Sequence, residues 1–162
     1  MFADAFSRLT LFQDLSPLQR DLIHPLFVPS FASAGMRLFE QGDIAEFLYV
    51  ILDGEVIIRY KPEDGPSLIL ARVKPDGVVG WSAVLGNPVY TSSAVCTTDC
   101  QLLRVNGHDL RLLCETHPET GTMVLERLTK VIAERLRSTP PHIMEILEQG
   151  LRVDEIKHVN AV

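Results

Sequence analysis

The sequence predicts a mainly β domain with flanking helices, in which the strands form a β-roll of the double-stranded β-helix or jelly-roll type. Between about residues 28 and 105, short apolar runs alternate with turn signals that contain Gly or Pro. Apolar residues at helical spacing precede this region, and a longer helical pattern follows it. Evenly spaced short strands separated by turns are typical of jelly rolls and barrels, and the outer segments supply the helices.

Two short helices are predicted before residue 28. Their apolar positions recur at helical spacing, at Phe2, Phe6, Leu9, Leu18, Leu22, Ile23 and Leu26. Ser16 followed by Pro17 predicts an N-cap with proline at the first helical position. Pro29 discourages any further helix.

The roll is predicted to contain short strands that are bounded by turn residues. These strands are 36–39, 47–52, 56–60, 68–73, 91–96 and 101–105. The strand at 47–52 is almost entirely apolar, which predicts burial on both of its faces. Asp53 and Gly54 follow it and form a strong hairpin signal that leads into the alternating pattern of the next strand.

Two helices are predicted after the roll. Asn106 can cap the first of them, which carries Leu110, Leu112, Leu113 and Cys114. Pro118 begins a longer helix, at about 118–137, whose apolar stripe is wide enough to pack against the roll and against a partner. The predicted domain therefore spans 1–137, with the roll at about 28–105, and residues 138–162 are expected to form a short helical tail.

Composition excludes several classes of protein. The 162 residues are 46% hydrophobic and 22% charged, which is typical of one globular domain. The net charge of −6 opposes a mainly electrostatic nucleic-acid binder. Three cysteines form no disulfide framework, no signal peptide is recognisable, and the longest apolar run has six residues. A cytoplasmic protein without a membrane span is therefore expected.

Five segments in order resemble the cyclic-nucleotide-binding domain of the catabolite-activator and FNR regulator superfamily. They are LFQDLS (11–16), LFEQGD (38–43), FLYVILDGEV (47–56), PDGVVG (75–80) and CQLLRV (100–105). The resemblance extends from about residue 11 to residue 137. It implies a stand-alone domain for sensing or regulation in signal transduction, with a phosphate-binding cassette that begins at Gly80.

The cassette is where the sequence departs from this family. The resemblance implies that helix amides hold the cyclic phosphate, a Glu accepts from the ribose 2′-hydroxyl and an Arg pairs with the phosphate. The matching positions hold Trp81 and Tyr90, whereas Thr91 keeps the usual hydroxyl. A charged hydrogen bond contributes roughly 1.5–3 kcal/mol, so losing both groups weakens cyclic-nucleotide binding by on the order of a hundredfold or more.

Three interpretations of the pocket remain open. The first is a non-standard or weak site for a neutral or aromatic small molecule. Its candidate residues are Gly80, Trp81, Ser82, Ala83, Tyr90, Thr91 and Ser92. The second is a ligand-free protein-interaction module in which Trp81 and Tyr90 fill the cavity themselves. The third is ordinary binding of cyclic AMP or cyclic GMP, although without the usual Glu and Arg contacts.

The long helix resembles the dimerisation helix of the same superfamily, which implies a homodimer. The residues predicted to hold the two copies together are Val124, Leu128, Val131, Ile132 and Leu136. Only 25 residues follow residue 137, and these are more acidic than basic, so DNA binding by this chain alone is not expected. A protein partner, whose identity the sequence does not give, is expected to read the state of the domain.

An enzyme is the competing class of function, and the sequence gives it little support. A cupin-type metal site needs histidines on the roll, but no histidine lies between residues 28 and 105. Cys114 and His117 lie three residues apart on a predicted helix, which is two ligands short of a metal site. No nucleophile pattern or phosphate-binding loop is recognisable. The sequence therefore predicts neither catalysis nor a bound metal.

Overall fold

The computed structural model describes residues 6–137, with side-chain environments as far as Glu134. Phe2 and the predicted tail 138–162 lie outside this range. Eight strands are described: β1 (Val28–Ala32), β2 (Arg37–Phe39), β3 (Phe47–Asp53), β4 (Val56–Tyr60), β5 (Leu68–Val73), β6 (Val78–Val79), β7 (Ser93–Cys96) and β8 (Cys100–Asn106). Residues 6–8 are helical, and four further α-helices follow: α1 (Pro17–Ile23), α2 (Ser82–Leu85), α3 (Gly107–Thr116) and α4 (Pro118–Arg137).

The strands form two antiparallel sheets that together make the predicted roll. The first sheet has the order β1-β8-β3-β6, and the second has the order β2-β7-β4-β5. The chain passes from β3 into β4, in the other sheet, through a turn at Gly54 with a φ of +97°. A Cβ at this position would lie 2.5 Å from the carbonyl oxygen of Asp99, so the turn has no room for a side chain. The predicted fold class is confirmed.

Two hydrophobic cores lie on opposite sides of β3. Leu48 and Val50 point into the first core, which the first sheet shares with the helices. Tyr49 and Ile51 point into the second core, which fills the space between the two sheets. Because each face of β3 meets a core, the segment 47–52 is apolar at nearly every position. The predicted burial on both faces of this strand is confirmed. Fully burying each such aliphatic side chain contributes about 1.5–3 kcal/mol.

Two strands were not predicted from the sequence. β1 contains Pro29, which lacks the N–H that a central strand needs, but β1 lies at the edge of its sheet and pairs only with β8. β6 has only two residues and depends on its pairing with β3. The predicted strand at 91–96 begins later, at Ser93. These differences arise because sheet pairing, and not local pattern, decides short and edge strands.

The helix signals in the sequence are confirmed. The Ser16 hydroxyl accepts from the Gln19 amide at 3.2 Å, and the Gln19 side chain accepts from the Ser16 amide at 2.9 Å. The Asn106 side chain accepts from the amide of His108 at 2.8 Å and so caps α3. The helices of the described range are all too short or too polar to cross a membrane.

Candidate ligand-binding site

The cassette begins at Gly80, where the chain leaves β6. Gly80 has a φ of +83°, which suits glycine. A Cβ there would lie 2.7 Å from the carbonyl oxygen of Phe47 and 3.2 Å from the ring of Phe39. Gly80 therefore lets the cassette pass close to β3 and to the interior of the roll. It also fixes where the next residues point.

The short helix α2 uses its own backbone groups. The Ala83 amide donates to the Gly80 carbonyl at 3.2 Å, and the Val84 and Leu85 amides donate to the Trp81 carbonyl at 3.0 Å. Ala83 and the candidate residue Ser82 are buried, at 1% and 3% exposure. These three amides are therefore engaged within the turn itself, and the side chains of Ser82 and Ala83 are closed to a ligand.

Tyr90 occupies the interior of the roll. Its ring stacks on Phe39 with a centroid distance of 3.8 Å and an interplanar angle of 13°. Its hydroxyl donates to the Phe47 carbonyl at 2.6 Å and accepts from the Phe47 amide at 2.9 Å. Only 5% of the residue is exposed, and this burial raises the pKa of the phenol to about 12. Tyr90 is therefore a fixed part of the second core.

The backbone of Tyr90 is fixed as firmly as its side chain. Its amide donates to the Asp43 carbonyl at 2.9 Å, and its carbonyl accepts from the Gly42 amide at 2.9 Å. The glycine turn after β2 therefore pairs with the cassette. Thr91 and Ser92 continue the chain towards β7 and are half-buried.

The structure places the two cassette aromatics in different cores. Trp81 is half-buried and packs against the first core, beneath the helices. Tyr90 belongs to the second core, between the sheets. The sequence suggested that the two rings either stack on one ligand or fill one cavity together. In the structure the two rings pack on opposite sides of the first sheet, each against a different core.

Contacts run from the cassette to the helices. The Arg111 guanidinium of α3 donates to the Ala83 carbonyl at 2.7 Å. A Cβ on Gly107 would lie 2.1 Å from the same carbonyl oxygen, so α3 begins directly against α2. Gly121 of α4 has equally little space, because its Cβ would lie 2.5 Å from the Cα of Cys114 in α3. Close packing at Gly107 and at Gly121 therefore connects α2 to α3 and α3 to α4.

The long helix is also tied to the start of the chain. The Arg127 guanidinium of α4 donates to the carbonyl of Leu11 at 3.1 Å and to that of Gln13 at 2.5 Å. Asp76, in the turn between β5 and β6, accepts from the amide of Thr10 at 2.8 Å and from its hydroxyl at 2.5 Å. The N-terminal segment thus contacts both α4 and the turn that leads into the cassette.

The residues predicted for dimerisation fall into three groups. Val124 and Leu128 are 0% and 2% exposed and belong to the first core, so packing within the chain already occupies them. Val131 and Ile132 are half-buried and pack against the same core. Leu136 lies beyond the residues whose side-chain environments are described. The sequence did not separate the face that packs on the roll from the neighbouring face of the same helix.

Two of the cysteines are core residues, whereas the cations of the neighbouring strand β4 and its end lie at the surface. Cys96 and Cys100 are fully buried in the second core, and burial raises the pKa of the Cys96 thiol to about 12. Within residues 6–137, no three His, Cys, Asp or Glu side chains are grouped to hold a metal ion. Arg59 and Lys61 are exposed and line a groove on the outside of the second sheet.

A family model supports the resemblance seen in the sequence. The cyclic nucleotide-binding domain model matches residues 30–117, which is more than half of the chain. The chain belongs to the cyclic nucleotide-binding domain family. The matched range contains the cassette, α3 and all of the roll except the first two residues of β1.

Similar proteins of known description support the same family assignment. The chain is 25% identical over 144 residues to a CRP-like cAMP-activated global transcriptional regulator of Mycobacterium tuberculosis, covering 89% of this chain and 62% of the relative. It is 29% identical over 127 residues to the cyclic AMP receptor protein of Thermus thermophilus, covering 78% and 57%. This member of the family thus spans about three-fifths of the length of these relatives, the first of which is described as a transcriptional regulator.

Solved structures share the fold. A putative cyclic nucleotide-binding protein from Geobacter metallireducens has a TM-score of 0.73 at 22% identity, covering 84% of this chain and 98% of that one. The catabolite activator protein of Thermus thermophilus has a TM-score of 0.65 at 27% identity, covering 91% and 63%. The regulatory subunit of a cAMP-independent protein kinase A from Trypanosoma brucei, a mutant bound to cAMP, has a TM-score of 0.70 at 15% identity, covering 92% and 50%.

Proposed function

We propose that this chain is a non-enzymatic regulatory domain with a non-standard cassette, in which Tyr90 fills the place that the phosphate-binding arginine has in its family. The observation that carries this proposal is the fixed position of Tyr90, stacked on Phe39 and hydrogen-bonded twice to Phe47. Cyclic nucleotides are therefore expected to bind weakly, without the usual contacts. Three free cysteines within the described residues fit a reducing compartment, and we propose a cytoplasmic location.

The energetic cost of moving Tyr90 supports weak binding. Exposing the buried ring forfeits about 2–3 kcal/mol of hydrophobic stabilisation, and each lost hydrogen bond adds about 1 kcal/mol. A ligand that displaces this side chain must supply about 4 kcal/mol, which corresponds to a loss of roughly a thousandfold in affinity. The missing charge pair adds to this loss. A ligand that leaves Tyr90 in place, such as a neutral or aromatic molecule near Thr91 and Ser92, does not incur the cost of displacing this side chain.

The contacts between the cassette and the helices support a regulatory role. Arg111 and Gly107 hold α3 against α2, and Gly121 holds α4 against α3. A change at the cassette would therefore be transmitted to α4, where a second protein can detect it. The relatives favour a function of this kind over catalysis, because the M. tuberculosis protein is named a transcriptional regulator and the T. thermophilus protein a cyclic AMP receptor protein.

A protein-interaction module without a small ligand is the second candidate. The observation that favours it is an exposed apolar group at the outer end of the cassette. Ile44 and Val89 pair through a β-bridge and are 72% and 39% exposed, and Leu85 at the end of α2 is 66% exposed. Large exposed apolar groups of this kind often mark protein contacts. In this function the cassette itself would contact the partner.

We also propose that α4 forms a homodimer, but mainly through the face next to the one that packs on the roll. Leu125 and Thr129 are exposed on that face, and Ile132 is half-buried. Their spacing of four and then three residues is the spacing of a coiled-coil seam. We expect Leu125→Glu to give a monomer by light scattering while the thermal stability changes little. Val124→Ala should instead lower stability by about 2 kcal/mol, since its side chain is buried.

The test of the cassette is a restoration experiment. Native mass spectrometry and calorimetry with cyclic AMP and cyclic GMP would compare the wild type, Tyr90→Phe and the double variant Trp81→Glu/Tyr90→Arg. We expect the wild type to bind neither nucleotide at tens of micromolar and the double variant to gain binding. Tyr90→Phe keeps the ring without adding charge, so it should not gain binding. Micromolar binding by the wild type would overturn the proposal.

The same measurement separates the two candidates. A small molecule that remains bound to the wild-type protein through purification would support a live non-standard pocket. A clean apo mass, with no nucleotide bound, would favour the interaction module. Charged variants of Ile44 and Leu85 could then be compared for partner binding.

A further inference from the structure

We propose that a groove on the outside of the roll, on the opposite face of the second sheet from the Tyr90 side chain, binds a small molecule that carries two or more phosphate groups. The groove has a volume of about 700 Å³ and lies on the outer face of the second sheet. We call it the outer groove. The residues that matter for the argument are Arg37, Gln41, Arg59, Lys61, Ser67 and Ser93. The proposal is independent of the function proposed for the cassette.

The sheet register places the cations of the outer groove on one face. Arg37 lies opposite Val95, and Arg59 lies opposite Ser93. Because Ala94 is buried in the second core, its neighbours Ser93 and Val95 on β7 point outwards. The same alternation along β4 turns Arg59 away from the interior. The two guanidinium groups therefore rise from the same outer surface, on strands that flank β7.

The spacing of these cations suits a ligand with several charges. Strands lie about 4.8 Å apart and residues about 3.3 Å apart along a strand, which places the Cα atoms of Arg37 and Arg59 roughly 12 Å apart. Lys61, two residues beyond Arg59, adds a third cation at the same groove. Long side chains that start at these positions can converge on neighbouring phosphates. Guanidinium groups bind phosphate through paired hydrogen bonds, which makes arginine well suited to this task.

The walls of the outer groove are held in place by one residue, Gln41. The Gln41 amide group accepts from the Lys61 backbone N–H at 2.9 Å and donates to the Lys61 carbonyl at 3.0 Å. The Gln41 backbone N–H donates to the Ser93 hydroxyl at 2.8 Å. These three bonds join the turn after β2 to the end of β4 and to β7. A site that is already ordered loses less conformational entropy when a ligand binds.

The charge of the lining is opposite in sign to that of the chain. Three cations and two acids, Glu40 and Glu63, line the outer groove, which gives a net charge of +1, whereas the whole chain has a net charge of −6. Glu40 forms an ion pair with Arg37, and both side chains are about half exposed or more. Exposed pairs of this kind contribute only about 0–1 kcal/mol, so Arg37 can exchange Glu40 for a phosphate at little cost.

The lining favours a small phosphorylated molecule over a protein segment. Protein contacts depend on apolar or aromatic anchors in well-packed pockets. The apolar side chains of the outer groove are few, with Val95 and Pro62 the main ones. Its volume lies in the range of small-molecule sites, about 300–1,000 Å³. Serine hydroxyls at Ser67 and Ser93 can add hydrogen bonds to phosphate oxygens.

The test is calorimetric titration of the purified chain at low salt with sodium tripolyphosphate and with ATP. The variants are Arg59→Gln, Lys61→Gln and Glu40→Gln, and the matched control is Lys130→Gln, an exposed lysine on α4. We expect saturable binding that weakens about tenfold or more with Arg59→Gln or Lys61→Gln. Glu40→Gln should strengthen binding, because it removes a competing acid. Lys130→Gln should leave the affinity unchanged.

Several outcomes would overturn the proposal. These are no saturation by either probe at millimolar concentration, an equal loss in the Lys130→Gln control, or weaker binding in Glu40→Gln. Tighter binding of ATP than of tripolyphosphate would show that the nucleoside contributes, and equal binding would identify the phosphates as the recognised group. Cyclic AMP, with one negative charge, should bind this groove more weakly than either probe. Failure here would leave the cassette proposal untouched, because that test uses other residues.

Discussion

Replacing Tyr90 by phenylalanine tests whether this residue is a fixed part of the roll. The substitution keeps the ring that stacks on Phe39 and removes only the hydroxyl, which makes hydrogen bonds of 2.6 and 2.9 Å to Phe47. Each bond contributes about 1 kcal/mol, and the Phe47 backbone groups would lose their partner in a half-buried place. We expect a loss of about 2–3 kcal/mol in the free energy of unfolding.

Urea denaturation measures this loss as a lower midpoint with an unchanged slope. In a domain of this size, a loss of 2 kcal/mol lowers the melting temperature by roughly 4–8 °C. Tyr60→Phe is the matched control, because Tyr60 is half-buried against the same core and its hydroxyl has no hydrogen-bond partner among the described residues. A Tyr90→Phe loss below about 0.5 kcal/mol, or one equal to that of Tyr60→Phe, would refute the argument.

Other predictions concern glycines, pH and thiols. Gly80→Ala should cost at least 1 kcal/mol more than Gly42→Ala in urea denaturation: both have a φ near +90°, but only the Gly80 Cβ would meet Phe47. Similar losses would show that backbone conformation alone matters. The Tyr90 pKa is about 12 in the folded protein and about 10 in the unfolded chain. The contribution of the neutral phenol to the free energy of unfolding is therefore complete below pH 10 and declines from pH 10 to 12. Tyr90→Phe should flatten that decline in unfolding experiments, and an unchanged slope would contradict the buried phenol. Iodoacetamide at pH 8 should modify only Cys114 in the folded protein but all three cysteines in guanidine, and rapid modification of Cys96 in the folded protein would contradict its burial.

The sequence predicted the fold well because the roll depends on local signals. The Gly54 turn, the Ser16 cap and the apolar run at 47–52 each have a local physical cause, and the structure contains all three. The edge strand β1 was missed, because a strand with Pro29 forms only when β8 is present to pair with it. The unbroken apolar run at 47–52 also predicted burial on both faces of β3, and the structure places a core on each side.

The geometry of the candidate site was harder to predict, because the type of a residue does not determine the core into which its side chain packs. The positions of Trp81 and Tyr90 in the cassette were evident from sequence, but their separation into two cores was not. The sequence likewise did not separate the buried face of α4 from its exposed face, because Val124 and Leu125 are adjacent in sequence while only Val124 is fully buried. The outer groove depends on the register of β2, β7 and β4, and the sequence contains no local signal for that register.

The sequence by itself determined the fold class, the family resemblance and the presence of Trp81 and Tyr90 in the cassette segment. Those features depend on residue identity and short-range spacing, which a single chain displays directly. Only the tertiary structure decided that Tyr90 is held by Phe39 and Phe47, and that Arg37 and Arg59 share one outer surface. These are contacts between residues distant in the chain. Their geometry depends on strand pairing and on close packing, which local sequence does not specify.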